Sequence, residues 1–196
     1  MSREREAKLP VEAADARRRL AAAGAEPLRE RHEEENWVLD SSEGAAAAKG
    51  SLLRLRRDDQ GWTLTLKGPA RVEAGHKVRE ELETAVQDGE VLLRALEAAG
   101  LRVVWRYEKR RATYRLGPVA LFLDETPIGD FLELEGEEGE TEDAARRMGY
   151  DPAAFLADSY GALHRRHCEA RGLPPGTDML FPPGAGLPAR AAPRRP

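Results

Sequence analysis

Glu4, Glu6 and Lys8 fall at every second position just before Pro10. On a strand, alternate side chains share a face, so two carboxylates and an ammonium would point together, with Arg5, Ala7 and Leu9 opposite. The pattern returns along the chain. Arg54 and Arg56 share a face, Lys67 follows on the next strand, Arg79, Glu81 and Glu83 share another face, and Lys109 shares one with Arg111. Asp124 then precedes Glu133 and Glu135. One such strand is an ordinary solvated face. The set is not, because several of these strands carry Trp, Val or Leu opposite the charges, as if packed against helices. A closed barrel with a charged interior satisfies both observations.

A charged interior is costly unless ligands or opposite charges match it. Carboxylates supply the hard oxygens that Mg²⁺ and Mn²⁺ prefer, and these ions are often bridged to phosphates. Arginine and lysine neutralise phosphate oxygens, arginine through a bidentate fork and lysine as a point charge. The combination points to metal-assisted binding of a polyanion such as a triphosphate. Such a site needs no covalent nucleophile, since phosphoryl transfer is helped chiefly by positioning and charge neutralisation.

The elements that must position these residues are legible in outline. Residues 10–24 read as a helix from Pro10 to Gly24, and 27–40 as an extended segment. Residues 41–51 read as a loop or short alanine-rich turn. Two strands, 51–58 and 62–68, flank a turn at Asp58-Asp59-Gln60-Gly61. A strand over 76–86 precedes the clearest helix, 88–100, which Asp88 can cap and Gly100 ends. Strands follow at 101–117, 119–129 and 130–137, then one or two helices over 141–172. Beyond Gly172 the chain is rich in Pro, Gly, Ala and Arg. We therefore expect one domain over 1–172 and an extension over 173–196, largely disordered from about residue 183.

These motifs, in this order, resemble the CYTH superfamily, the triphosphate tunnel metalloenzymes. "EREAK" at 4–8 matches its ExExK signature, followed by "LRLR" (53–56), "TLK" (65–67), "REELE" (79–83), "EKRR" (108–111), "LDETPIGDFLELE" (123–135) and "SYGAL" (159–163). The superfamily includes class IV adenylyl cyclases, thiamine triphosphatases and inorganic tripolyphosphatases. The resemblance implies an α+β fold, an eight-stranded antiparallel β-barrel (tunnel) with helices packed outside. It implies divalent metal, Mg²⁺ or Mn²⁺, held by Glu4, Glu6, Glu133 and Glu135, with Asp124, Glu81 and Glu83 as further acids. It implies phosphate binding by Lys8, Arg54, Arg56, Lys67, Arg79, Lys109 and Arg111. Glu4, Glu6, Lys8, Glu133 and Glu135 form the implied catalytic set. "NWVLD" (36–40) departs from the aromatic-rich stretch usual at that place in the family.

Three readings of the reaction stay open. Hydrolysis of inorganic tripolyphosphate or an organic triphosphate comes first, with cyclisation of ATP to cyclic AMP and pyrophosphate second. A module that binds polyphosphate without turnover comes third, because it could lose its acids and the acids are all present. The expected partner is a triphosphate-containing small molecule or polyphosphate. A net charge of −4 argues against a general nucleic-acid binder. With no apolar run in "MSREREAKL" and no span of about 18 apolar residues, we expect a cytoplasmic protein with no membrane segment. A homodimer is compatible with the sequence. The lone Cys168 excludes an internal disulfide framework. His164 and His167 read as a surface pair, Tyr160 as packing, and Trp37, Trp62 and Trp105 as core or rim.

Overall fold

The computed structural model describes residues 2–73, 75–174 and 176–185, with side chains from residue 4 onward. Nine strands form one antiparallel sheet: β1 (Ser2–Val11), β2 (Glu26–Ser41), β3 (Leu52–Asp58), β4 (Gly61–Lys67), β5 (Arg71–Glu73), β6 (His76–Val86), β7 (Leu101–Leu116), β8 (Val119–Thr126) and β9 (Gly129–Glu135). Their order is β1-β9-β8-β7-β2-β3-β4-β6, and β1 pairs back onto β6 to close an eight-stranded barrel. The three-residue β5, not anticipated from sequence, lies on the same side of β6 as β4. It continues that stave past Gly68, whose N–H still donates to Glu80 O.

Five helices accompany the barrel: α1 (Ala13–Ala22), α2 (Ala45–Ala48), α3 (Gly89–Ala98), α4 (Glu140–Arg147) and α5 (Tyr160–Arg171). Alternation along the strands turns one set of side chains inward and the other toward these helices. The main hydrophobic core therefore lies outside the barrel. Leu9, Leu121, Leu123, Leu132 and Leu134 pack there against Ala16 and Leu20 of α1, Ala145 of α4 and Met148 just after it. Gly89 presses α3 onto the Trp62 ring, which lies 5.2 Å from that of Trp37.

Several boundaries differ from expectation for local reasons. Pro10 lies within β1, one residue before its end, instead of opening the helix. Lys8 exchanges backbone hydrogen bonds with Leu156, so the N and O of Pro10, two residues on, face that same side, where no strand pairs and no N–H is missed. Glu12 then caps α1, accepting from the N–H groups of Ala14 (3.0 Å) and Asp15 (2.7 Å). The β8–β9 turn begins after Thr126, earlier than expected. The helical stretch after β9 is broken by a 3₁₀ turn at Pro152–Ala154, where Asp151 caps and Pro152 opens the turn. Beyond α5 the chain returns to the barrel instead of leaving at residue 172. Met179 pairs with Tyr107 on a stretch of β7 that β8 does not reach, and only 1% of Met179 is exposed. The disorder expected from about 183 falls mostly on 186–196, outside the described residues. Among the described residues no helix is long and apolar enough to cross a membrane.

Candidate functional site

Strand register brings the charged residues together. On β1, Glu4 faces Arg79 of β6, and Glu6 faces Lys77 of β6 on one side and Glu135 of β9 on the other. Lys8 faces Glu133. On the other staves Lys67 faces Glu81, Arg54 faces Thr65, and Glu34 faces Lys109. Of the fourteen expected residues, thirteen border one cavity of about 440 Å³: Glu4, Glu6, Lys8, Arg54, Arg56, Lys67, Arg79, Glu81, Glu83, Lys109, Arg111, Glu133 and Glu135. Asp124 does not border it. It is fully buried behind the wall, accepting from Lys109 (3.0 Å), Arg111 (2.7 Å) and the Tyr160 hydroxyl (2.7 Å).

The charges are matched unevenly. Glu133 binds Lys8 at 3.0 Å and also Arg111. Burial would raise its pKa, yet the charges of Lys8, Arg111 and Lys109 outweigh that and hold it well below the usual carboxylate range. Glu4, 3.2 Å from Lys67, is likewise lowered: burial opposes ionisation, but a hydrogen bond with Glu81 and the Lys67 charge prevail. Its neighbours go the other way. Burial and the hydrogen bond with Glu4 push Glu81 up to about 7. Burial, with the charges of Glu4 and Glu133, pushes Glu135 up to about 8. Glu83 stands at the exposed rim, accepting from Thr65 (2.9 Å) with Arg54 3.9 Å away.

The acids fit a hard divalent ion. Glu4, Glu6 and Glu135 each offer a carboxylate oxygen, all within 4.8 Å of one another. Oxygen donors in this number suit Mg²⁺ or Mn²⁺. The raised pKa of Glu135 marks negative charge that the side chains around it leave uncompensated, and a cation there would relieve it.

Some site residues were missed or misread in the sequence. Lys77 lies in the same alternation as Arg79 and binds Glu6 on the adjacent strand β1. Glu34 is fully buried, 3.4 Å from Lys109 and 3.8 Å from Arg56. Tyr160 does more than pack: its ring lies 5.3 Å from the ammonium groups of both Lys8 and Lys109 while its hydroxyl holds Asp124. His164 is buried, contrary to the surface reading, because α5 turns it onto Trp105 at 5.8 Å and beside Cys168.

A closed β-tunnel with converging acids and a lining of arginine and lysine defines a protein built to hold a polyphosphate together with a divalent cation. The chain belongs to the CYTH domain family, whose model matches residues 2–157. Proteins of this family act on triphosphates and depend on divalent metal. No curated protein matches the chain. Among solved structures, the chain is similar to PH1012 from Pyrococcus horikoshii OT3, at 25% identity over 80% of this chain and 96% of that one (TM-score 0.66). A proposed adenylate cyclase from Vibrio parahaemolyticus shares 21% identity over 84% and 99% of the two chains (TM-score 0.70). A proposed adenylyl cyclase from Hippeastrum, described as having a dominant triphosphatase activity, shares 22% identity over 84% and 96% (TM-score 0.64). The last two likenesses bear on the fold.

Proposed function

We propose that this protein is a metal-dependent triphosphatase that hydrolyses a triphosphate held inside the tunnel. The observation that carries this reading is the convergence of Glu4, Glu6 and Glu135 on one cavity with a surrounding set of cations. Those three acids would hold Mg²⁺ or Mn²⁺, with Glu81 beside them. The bound ion supplies neutralisation of phosphate charge and a water acidic enough to attack near neutral pH. Lys8, Lys67, Lys77 and Arg79 on the β1, β4 and β6 side, and Arg54, Arg56, Lys109 and Arg111 on the β3 and β7 side, take the phosphate oxygens. Glu133 and Asp124 keep Lys8, Lys109 and Arg111 aimed inward, so little reorganisation is needed when the phosphates arrive. Water adds to the terminal phosphorus, the bridging P–O bond breaks, and orthophosphate and the shortened anhydride leave.

A second cavity of about 880 Å³ shares Leu52, Lys77, Arg79, Trp105, Ser159 and Gly161 with the tunnel and adds Val72, Ala162 and Leu173. Its apolar side chains favour a substrate with an organic group. That observation also keeps a second reading, cyclisation of ATP by its ribose hydroxyl with loss of pyrophosphate. Incubation with Mg²⁺ or Mn²⁺ and, separately, tripolyphosphate, thiamine triphosphate and ATP separates the readings by product. Orthophosphate supports the triphosphatase, and cyclic AMP from ATP replaces it with the cyclase. Tight binding of a triphosphate with no product from any of the three replaces both with a binding module.

A further inference from the structure

His32 and Glu34 of β2 and Asp58 at the end of β3 form a second group of metal-type donors, each offering one ligand atom within 4.8 Å of the others. They share no residue with the acids Glu4, Glu6 and Glu135. His32 is 5% exposed and Glu34 1%. The imidazole is oriented by its backbone: Nδ1 lies 2.9 Å from Glu30 O, a carbonyl that can only accept. Nδ1 therefore carries a proton, and Nε2 is the ring nitrogen turned toward the two carboxylates. A carbonyl held by one ring nitrogen is the arrangement that fixes an imidazole for metal ligation through the other. Nε2 has no hydrogen-bond partner among the described residues, and neither does Glu34 Oε2. The separation from Nε2 to Glu34 Oε1 is 3.7 Å, longer than a hydrogen bond.

His32 Nε2 and Glu34 Oε2 thus lie buried and unpartnered beside Asp58, which is itself only partly buried and accepts from Arg29 (3.3 Å) and the Gln60 N–H (2.8 Å); leaving the first two unmatched is costly unless a cation bridges them. We propose that His32, Glu34 and Asp58 form a second divalent-ion site, distinct from the tunnel acids. One nitrogen and two carboxylates suit a borderline ion such as Zn²⁺, Co²⁺ or Mn²⁺ better than Mg²⁺, which prefers oxygen alone. Lys109 and Arg56 lie 3.4 and 3.8 Å from Glu34, and Arg29 lies 3.3 Å from Asp58. These cations compensate part of the negative charge, so the ion is held with modest affinity. An ion here engages the carboxylate that otherwise faces Lys109 and Arg56, which ties the site to the side chains lining the tunnel. The proposal does not depend on which reaction the tunnel performs.

The test uses the full chain, stripped of metal and titrated with Co²⁺ in excess Mg²⁺, which occupies the hard-oxygen acids. We expect one Co²⁺ equivalent that Mg²⁺ does not displace, seen by calorimetry and by visible d–d bands. His32→Gln and Asp58→Asn should each weaken it at least tenfold, while Glu135→Gln retains it. Thermal melts of the ion-free variants identify any that fail to fold, and either folded variant suffices. Imidazole ¹⁵N spectra should show the Nε2 resonance of His32 shifting when Zn²⁺ is added to the ion-free protein. Absence of a Mg²⁺-resistant equivalent, unchanged uptake in His32→Gln, or an Nε2 resonance unmoved by Zn²⁺ overturns the proposal.

Discussion

If the tunnel acids hold the ion as proposed, Glu135 should govern its uptake. Its carboxyl is pushed up to about 8 by burial and by the charges of Glu4 and Glu133. At pH 7 the metal-free protein therefore keeps about 0.9 of a proton on Glu135, and a bound ion must displace it. Apparent affinity for Mg²⁺ or Mn²⁺ should rise about tenfold per pH unit from 6 to 8, or ~1.4 kcal/mol each, and level off above. Calorimetric titration in two buffers of different ionisation heat measures the released proton directly. Glu135→Gln should sharply reduce both the buffer dependence and the pH slope, leaving the smaller part due to Glu81, while binding the ion more weakly than wild type at pH 8. Equal heats in the two buffers at pH 7, with an affinity unchanged from pH 6 to 8, would refute the reasoning.

The same displaced proton bears on stability. A folded pKa above the ordinary 4.5 means that Glu135 contributes fully below pH 4.5 and loses that contribution as pH rises through about 8. The loss is at most about 5 kcal/mol, and Glu81, raised to about 7, acts in the same sense. Glu34 and Glu133, held well below 4.5, act oppositely: their contribution stands above that value and is lost on acidification. Metal-free protein should therefore be most stable near about pH 5 and weaken toward pH 8, and Mg²⁺ should remove the alkaline decline.

Three further perturbations test the frame around the site. Tyr160→Phe removes the hydroxyl that donates to buried Asp124 and should cost ~1–2 kcal/mol in urea unfolding, because one acceptor is left short of a partner. Gly89→Ala would place a Cβ 2.0 Å from the Trp62 ring, so α3 must shift; a loss of ~1–3 kcal/mol is expected, and an unchanged midpoint would contradict the packing. Met179→Ala empties a position only 1% exposed and should lower stability by ~2–4 kcal/mol, whereas a detached extension would give no change.

The charged alternation was legible wherever a strand is regular, because period two needs no knowledge of the partner strand. Glu4, Glu6, Arg54, Arg56, Arg79 and Glu81 were found that way. Glu34 was hidden by its neighbours: three glutamates in a row at 33–35 carry no alternation. Register with flanking strands separates them, sending Glu33 to Arg110 (3.3 Å) and Glu35 to Arg57 (2.6 Å) while Glu34 turns inward. Asp124 misled for the converse reason. Its parity is right, but Lys109, Arg111 and Tyr160 occupy its oxygens, and that closure depends on α5, some 36 residues further along the chain. His164 was misread because the surface that buries it, around Trp105, belongs to another element.

An inverted distribution of charge follows from closing this sheet. In most small domains the apolar faces of the sheet meet each other, but here they meet helices, and the barrel interior is left to the ions. The interior cannot collapse onto itself, since every inward cation on β1 and β7 is held at the wall by a carboxylate: Lys8 by Glu133, Lys109 and Arg111 by Asp124. Such pairs contribute little net stability compared with apolar packing of the same volume. What they secure is position. The outer core of Leu121, Leu123, Leu132 and Leu134 fixes β8 and β9, and those strands in turn fix Asp124 and Glu133. Stability is thus supplied from outside the wall and spent on an interior whose charges remain available to a ligand.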